Sequence, residues 1–155
     1  MSKSGWFLRP EYSRMLCLLS VVGMGGGSPV QAQTPRTVVV RGLDYAFQAP
    51  DTVPAGLTLF VLENQGTVRH ELVLVRLKQG HTLAEVIAAK TPPERLALYD
   101  GIVGLIVAEP GARAMGTLTT DLTQGRTYVL TCNLRDAPDK QLHLAQGMAH
   151  VLHVR

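Results

Sequence analysis

From residue 37 onward, glycine and proline cut the chain into short β-branched and aliphatic runs. This punctuation constrains the fold more than any other feature. Thr37 to Arg41 (TVVVR) precedes Gly42, and Leu43 to Gln48 follows it. Pro50 and the Pro54-Ala55-Gly56 cluster come next, then Leu57 to Leu62 (LTLFVL) and the Asn64-Gln65-Gly66 turn signal. His70 to Leu77 (HELVLVRL) alternates. Met115 to Leu122, Arg126 to Cys132 (RTYVLTC) and Met148 to Val154 (MAHVLHV) supply three further strand-like runs. Short strands between turn residues, without alternating helices, predict an all-β, antiparallel Greek-key β-sandwich. One segment departs from this. Thr82-Leu83-Ala84-Glu85 has the spacing of a capping box and Thr91-Pro92-Pro93 is a stop, so residues 81 to 100 read as a helical insertion. Residues 101 to 110 (GIVGLIVAEP) fit a strand and an apolar loop equally well.

The amino-terminal stretch has a different character. Residues 1 to 14 are polar and basic, Met15 to Met24 are apolar, and Gly25-Gly26-Gly27-Ser28-Pro29 leads to Val30-Gln31-Ala32. That order is the pattern of a secretory signal peptide, with cleavage expected before Gln33. The apolar run is well short of the ~20 residues that span a bilayer. The expected product is residues 33–155, periplasmic or secreted, with no stable membrane insertion after cleavage. Net charge is +3, and most of that excess lies in the leader. A nearly neutral product is a poor binder of nucleic acid, which rewards clustered positive charge. With eight aromatic residues in all, three of them in the leader, a base-stacking platform is also disfavoured.

Cleavage removes Cys17 and leaves Cys132 as the one cysteine. It cannot form an internal disulfide, and in an oxidising compartment an idle exposed thiol is a liability. Three more donors lie at strand ends: His70 after the Asn64-x-Gly66 turn, His143 in the loop after Cys132, and Met148 after Gly147. Two imidazoles, a thiolate and a weak thioether are the donor set of a blue copper site. Thiolate and thioether favour Cu(I), imidazole accommodates both states, and little has to move when an electron passes. Of the other histidines, His150 shares strand parity with Met148, His153 points to the opposite face, and His81 is expected in solvent. Met115 is expected in the core.

These residues resemble the cupredoxin family. The resemblance is carried by Asn64-x-Gly66-x-x-x-His70, the strand Tyr128-Val129-Leu130-Thr131-Cys132, and His143-x-x-x-Gly147-Met148 before a terminal strand. It covers most of the chain after the leader and looks most like plastocyanin or pseudoazurin with a helical insertion. It implies one type 1 copper held by His70, Cys132, His143 and Met148, and single-electron exchange with redox protein partners rather than catalysis. It also implies that His143 belongs to an exposed apolar face through which electrons pass. Two departures bear on the site. Ten residues, Asn133 to Leu142, separate Cys132 from His143, a longer gap than in the best-known members, and a long loop is expected to loosen the metal geometry. Glu71 follows His70 where many members have Asn, so the bracing hydrogen bond usual there is not expected.

Other classes make distinct demands. A metal-free cupredoxin-fold binding or structural module would take up no copper. A copper carrier would use the same ligands but favour Cu(I), and usually has methionine-rich runs; only Met115 and Met148 follow the leader. A thiol enzyme needs an activated Cys132 and an oxyanion pocket, and YVLTCNLRD has no glycine-flanked nucleophile turn. No pair of carboxylates is singled out for hydrolysis.

Overall fold

A computed structural model describes residues 34–155; the expected leader, residues 1–32, lies outside them. Among the described residues the apolar runs become nine strands in two sheets. β1 (Arg36–Leu43), β2 (Ala46–Gln48), β4 (Gly56–Asn64) and β7 (Leu118–Leu122) form one sheet in the order β2-β1-β4-β7. β3 (Thr52–Val53), β5 (His70–Leu77), β6 (Tyr99–Ala108), β8 (Thr127–Thr131) and β9 (Ala149–Val154) form the other in the order β3-β9-β8-β5-β6.

Strand parity decides which side chains meet. Val38, Val40, Phe60, Leu62 and Leu122 of the first sheet pack against Leu72, Leu74, Tyr128, Leu130 and Leu152 of the second. Successive strand residues point to opposite faces, so Leu72 and Leu74 of β5, Tyr128 and Leu130 of β8, and Leu152 and Val154 of β9, all even-numbered, fill the layer between the sheets. His70, Cys132 and Met148 share that parity and belong to the same inner layer. Each fully buried leucine there contributes on the order of 2 kcal/mol; truncating Leu74 to Ala costs about 2–5 kcal/mol.

Odd positions at the centre of the second sheet, in β5 and β8, do not face water either. Val73, Val75, Leu77 and Val129 pack with Val86, Leu83, Leu98, Leu142 and Leu144 in a second apolar cluster. Burial on both faces explains why β5 is apolar almost throughout, and it locates the helical insertion. α1 (Leu83–Ala88) lies over the outer face of the second sheet through Leu83 and Val86, and α2 (Pro92–Ala97), which buries none of its residues, follows it. Each begins with a complete capping box. The Thr82 hydroxyl accepts from the Glu85 amide and the Glu85 carboxylate accepts from the Thr82 amide, and Thr91 and Glu94 repeat the arrangement. Thr91-Pro92-Pro93 therefore ends one helix and starts the next, proline being tolerated in a first helical turn.

Three details differ from the sequence reading. Both sheets are mixed: β1 runs parallel to β4, and β3 parallel to β9. Between β1 and β4 the chain visits the second sheet through β3, and a strand that returns by crossover has no tight hairpin to force antiparallel pairing. The ambiguous run from residue 101 is the edge strand β6. Its one-sided burial leaves Ile102 and Leu105 exposed, which hides the alternation. Met115 is fully exposed at 106% rather than in the core. No helix among the described residues is long and apolar enough to cross a membrane.

Candidate metal centre

Two turns deliver His70. Asn64 closes β4 and is buried; its Nδ2 donates to the carbonyls of Val68 (2.8 Å) and Ala108 (3.1 Å), and its Oδ1 accepts from the Gly66 amide (2.9 Å). These bonds fold the segment that leads into β5. Gly66 is required by proximity, because a Cβ there would lie 2.3 Å from Asp44 Oδ1 and 2.9 Å from His70 Nε2. Asp44, in the β1–β2 turn, accepts from the Thr67 amide (2.7 Å) and hydroxyl (2.8 Å), tying the two turns together.

Backbone bonds arrange the other donors. The Cys132 amide donates to the Met148 carbonyl (3.2 Å), and the Cys132 carbonyl accepts from the Leu144 amide (2.8 Å). The His143 amide donates to Leu134 (2.9 Å), and the Met148 amide to His143 (2.9 Å). His143 opens a short 3-10 helix (His143–Gln146) that Gly147 ends at φ 111°, a left-handed conformation suited to glycine. Leu142 and Leu144, on either side of His143, anchor this turn in the cluster under the helical insertion.

The result is a buried cluster. His70 Nδ1 and His143 Nδ1 are 3.3 Å apart, and Cys132 Sγ is 3.4 Å from His143 Nδ1. One donor atom from each residue lies within 4.8 Å of the other two. Metal–nitrogen bonds of ~2.0–2.1 Å and a metal–sulfur bond of ~2.3 Å, at trigonal to tetrahedral angles, place donors ~3.3–3.8 Å apart. The 3.3 and 3.4 Å separations fall in that range, and with all three donors within 4.8 Å the cluster is suited to a single ion. Met148 is fully buried beside them. A Cβ on Gly42 would touch its Cε (3.5 Å) and His70 Cδ2 (3.4 Å), so thioether methyl and imidazole pack on the same glycine.

The environment suits a cation. Burial raises the Cys132 thiol above its ordinary range, an effect opposed by the amides of Glu71 and Leu134 and reinforced by the charges of Glu71 and Asp136. Burial, and then the neighbouring His143, lower His70 and favour the neutral imidazole that binds a metal. His70 Nε2 is buried without a hydrogen-bond partner, with Asp44 Oδ1 at 3.6 Å.

Glu71 supplies the brace that the sequence appeared to lack. Its backbone amide donates to Cys132 Sγ (3.4 Å), a bond that needs no particular side chain. Its carboxylate accepts from the amide of Asn133 (2.9 Å) and from Asn133 Nδ2 (3.4 Å), pinning the start of the long loop. The expectation of an exposed His143 is corrected: it exposes 1%. The loop folds back so that His143 Nε2 donates to Asp136 Oδ1 (2.9 Å), while the Tyr45 hydroxyl donates to Asp136 Oδ2 (2.6 Å). The bonds from Tyr45 and His143 hold the Asp136 carboxyl below its usual range, and the Asp136 acceptor pushes the Tyr45 phenol up. The sequence reading missed Asp44, Tyr45 and Asp136 around the cluster, and the only signal was an acidic excursion between the candidate ligands Cys132 and His143. The remaining histidines stand apart. His81 meets Glu85, His150 Nε2 lies 3.3 Å from the Pro50 carbonyl, and His153 lies 3.3 Å from the Thr127 hydroxyl.

No family model and no curated protein matches the chain. Solved structures do. The dithionite-reduced auracyanin of the photosynthetic bacterium Roseiflexus castenholzii is 25% identical, with a TM-score of 0.50 over 79% of this chain and 99% of that one. Auracyanin B is 26% identical, with a TM-score of 0.53 over 84% of this chain and 96% of that one. By its two-sheet architecture and its likeness to these cupredoxins, the chain has the cupredoxin fold, with a buried His70–Cys132–His143 cluster suited to one type 1 copper.

Proposed function

We propose that the protein is an exported mononuclear copper protein that shuttles single electrons between redox partners. His70 and His143 serve as nitrogen ligands, Cys132 as the thiolate and Met148 as the weak axial donor. The observation that carries this reading is the convergence of His70 Nδ1, His143 Nδ1 and Cys132 Sγ within 4.8 Å in a fully buried pocket. Copper, when bound, supplies a one-electron couple between Cu(I) and Cu(II). The chain fixes its donors through the Cys132–Met148, His143–Met148 and Cys132–Leu144 backbone bonds, so they stay in place as charge changes. Burial excludes water and leaves no open position for a substrate, which favours a carrier over an enzyme. Residues 1–32 act as the export signal and residues 33–155 as the working domain.

Titration of the metal-free protein with Cu(II) tests the reading. One equivalent should bind with an intense visible band, and Cys132→Ser should abolish the band while retaining the far-ultraviolet signature of the sandwich. A protein that takes up no copper, or whose band survives the serine substitution, overturns it. The amino terminus of protein recovered from the producing cell should lie near residue 33.

A further inference from the structure

The loop between Cys132 and His143 is long enough to leave the site and return, and it returns against the β1–β2 turn. There Asp136 accepts two hydrogen bonds, one on each oxygen: His143 Nε2 at 2.9 Å and the Tyr45 hydroxyl at 2.6 Å. Tyr45 is the one non-glycine residue at positive φ among the described residues, at 62°. That is a conformation L-residues rarely adopt, and the hydrogen bond to the charged Asp136 acceptor helps to hold it. The Tyr45 ring also meets His143 edge-on, with centroids 5.1 Å apart and planes at 73°. A strained turn, a shared carboxylate and a sealed imidazole thus lie together.

We propose that Asp136, steadied by Tyr45, is a positioning residue for the metal centre: it fixes His143 with the Nε2 proton outward and Nδ1 bare toward Cys132 and His70, and it covers the imidazole edge. The inference rests on the copper reading for its redox consequence, but not for its geometry. An imidazole that donates from one nitrogen presents a lone pair on the other. Carboxylate partners of this kind orient the ring and raise its basicity as a ligand, and losing one costs about 10–100-fold in metal affinity. A negative charge one imidazole away favours the more highly charged Cu(II). A redox partner that approaches this end meets Asp136 and Tyr45 rather than the imidazole edge. Asp44 stands near His70 in a related way, but at 3.6 Å it is outside hydrogen-bond distance and is already occupied by Thr67.

The test uses two readouts. In the metal-free protein, nitrogen-15 NMR of the His143 ring should show one tautomer, protonated at Nε2, with a slowly exchanging ring proton. Asp136→Ala should speed that exchange at least tenfold and mix the tautomers, and Tyr45→Phe should move both in the same direction by less. In the copper-loaded protein, Asp136→Asn should weaken the preference for Cu(II) over Cu(I) about tenfold, a rise in reduction potential of about 59 mV by the one-electron conversion. An unchanged tautomer and exchange rate in Asp136→Ala overturns the inference, as does an Asp136→Asn potential equal to that of the parent. If Asp136→Ala fails to fold, Tyr45→Phe decides the first readout. If the parent binds no copper, the proposed function fails while the NMR comparison still decides the positioning role.

Discussion

The Nδ1 atoms of His70 and His143 face each other across 3.3 Å, with Cys132 Sγ 3.4 Å from the second of them. Three electron-rich donors cut off from water and aimed at one another are poorly solvated by the protein alone, and a cation at their centre relieves this. Metal loading should therefore stabilise the fold. Ligand at 1,000 times its dissociation constant adds about 4 kcal/mol, which for a domain of this size is roughly 10–20 °C in melting temperature. Calorimetry with copper and again after chelation measures it. Superimposable melting curves would contradict a shared site.

Met148 tests the axial position apart from the rest. It is fully buried and packs with His70 on Gly42, and Met→Leu swaps cost under about 1.5 kcal/mol. Met148→Leu should keep both fold and visible band but raise the reduction potential, because a weak donor to Cu(II) is lost. Voltammetry of the two proteins decides. A potential and spectrum both unmoved would remove Met148 from the ligand set.

Glu71 links the strand that carries His70 to the loop that follows Cys132. Its carboxylate accepts from the Asn133 amide at 2.9 Å. Glu71→Ala should cost about 1 kcal/mol of stability, the value of one partly exposed hydrogen bond, while preserving the backbone bond from residue 71 to Cys132 Sγ. Urea unfolding should show a lower midpoint at an unchanged m-value. Copper uptake should persist with a broadened band, since the loop start is looser. An unchanged midpoint would mean that the long loop holds itself.

Local pattern revealed much of this molecule because much of it is local. TVVVR, LTLFVL, HELVLVRL and RTYVLTC announce β1, β4, β5 and β8 through branched residues between turn signals. Thr82 and Glu85 announce α1 through a cap that closes over three residues. His70, Cys132, His143 and Met148 stand out because donor chemistry is visible one residue at a time. What stayed hidden is non-local. Tyr45 and Asp136 are 91 residues apart and meet through a single hydrogen bond, which no periodicity encodes. The burial of His143 follows from a loop folding back, and the brace from Glu71 acts partly through its backbone, which every residue possesses. β6 was ambiguous because an edge strand with Ile102 and Leu105 in solvent shows no apolar alternation.

Acid should loosen the helical insertion before the sandwich. The amides of Thr82 and, at the second cap, of Lys90 and Thr91 hold the carboxyls of Glu85 and Glu94 below their ordinary values. A carboxyl depressed in the folded state stabilises fully above its unfolded pKa, about 4.3 for Glu, and that contribution is lost as pH falls through the folded value. Both caps should therefore hold at neutral pH and fail below about pH 4. Val86 packs with Leu144 in the outer cluster, so the loosening should reach the turn that carries His143. Amide exchange followed from pH 6 to pH 3 should show Val86 and Leu144 losing protection before Val129 and Leu130 of β8. Glu94→Gln should flatten the pH dependence in α2 alone. Loss of protection at one common pH in helices and strands would show that the caps do not set the acid limit, and that the insertion unfolds only with the sheet beneath it.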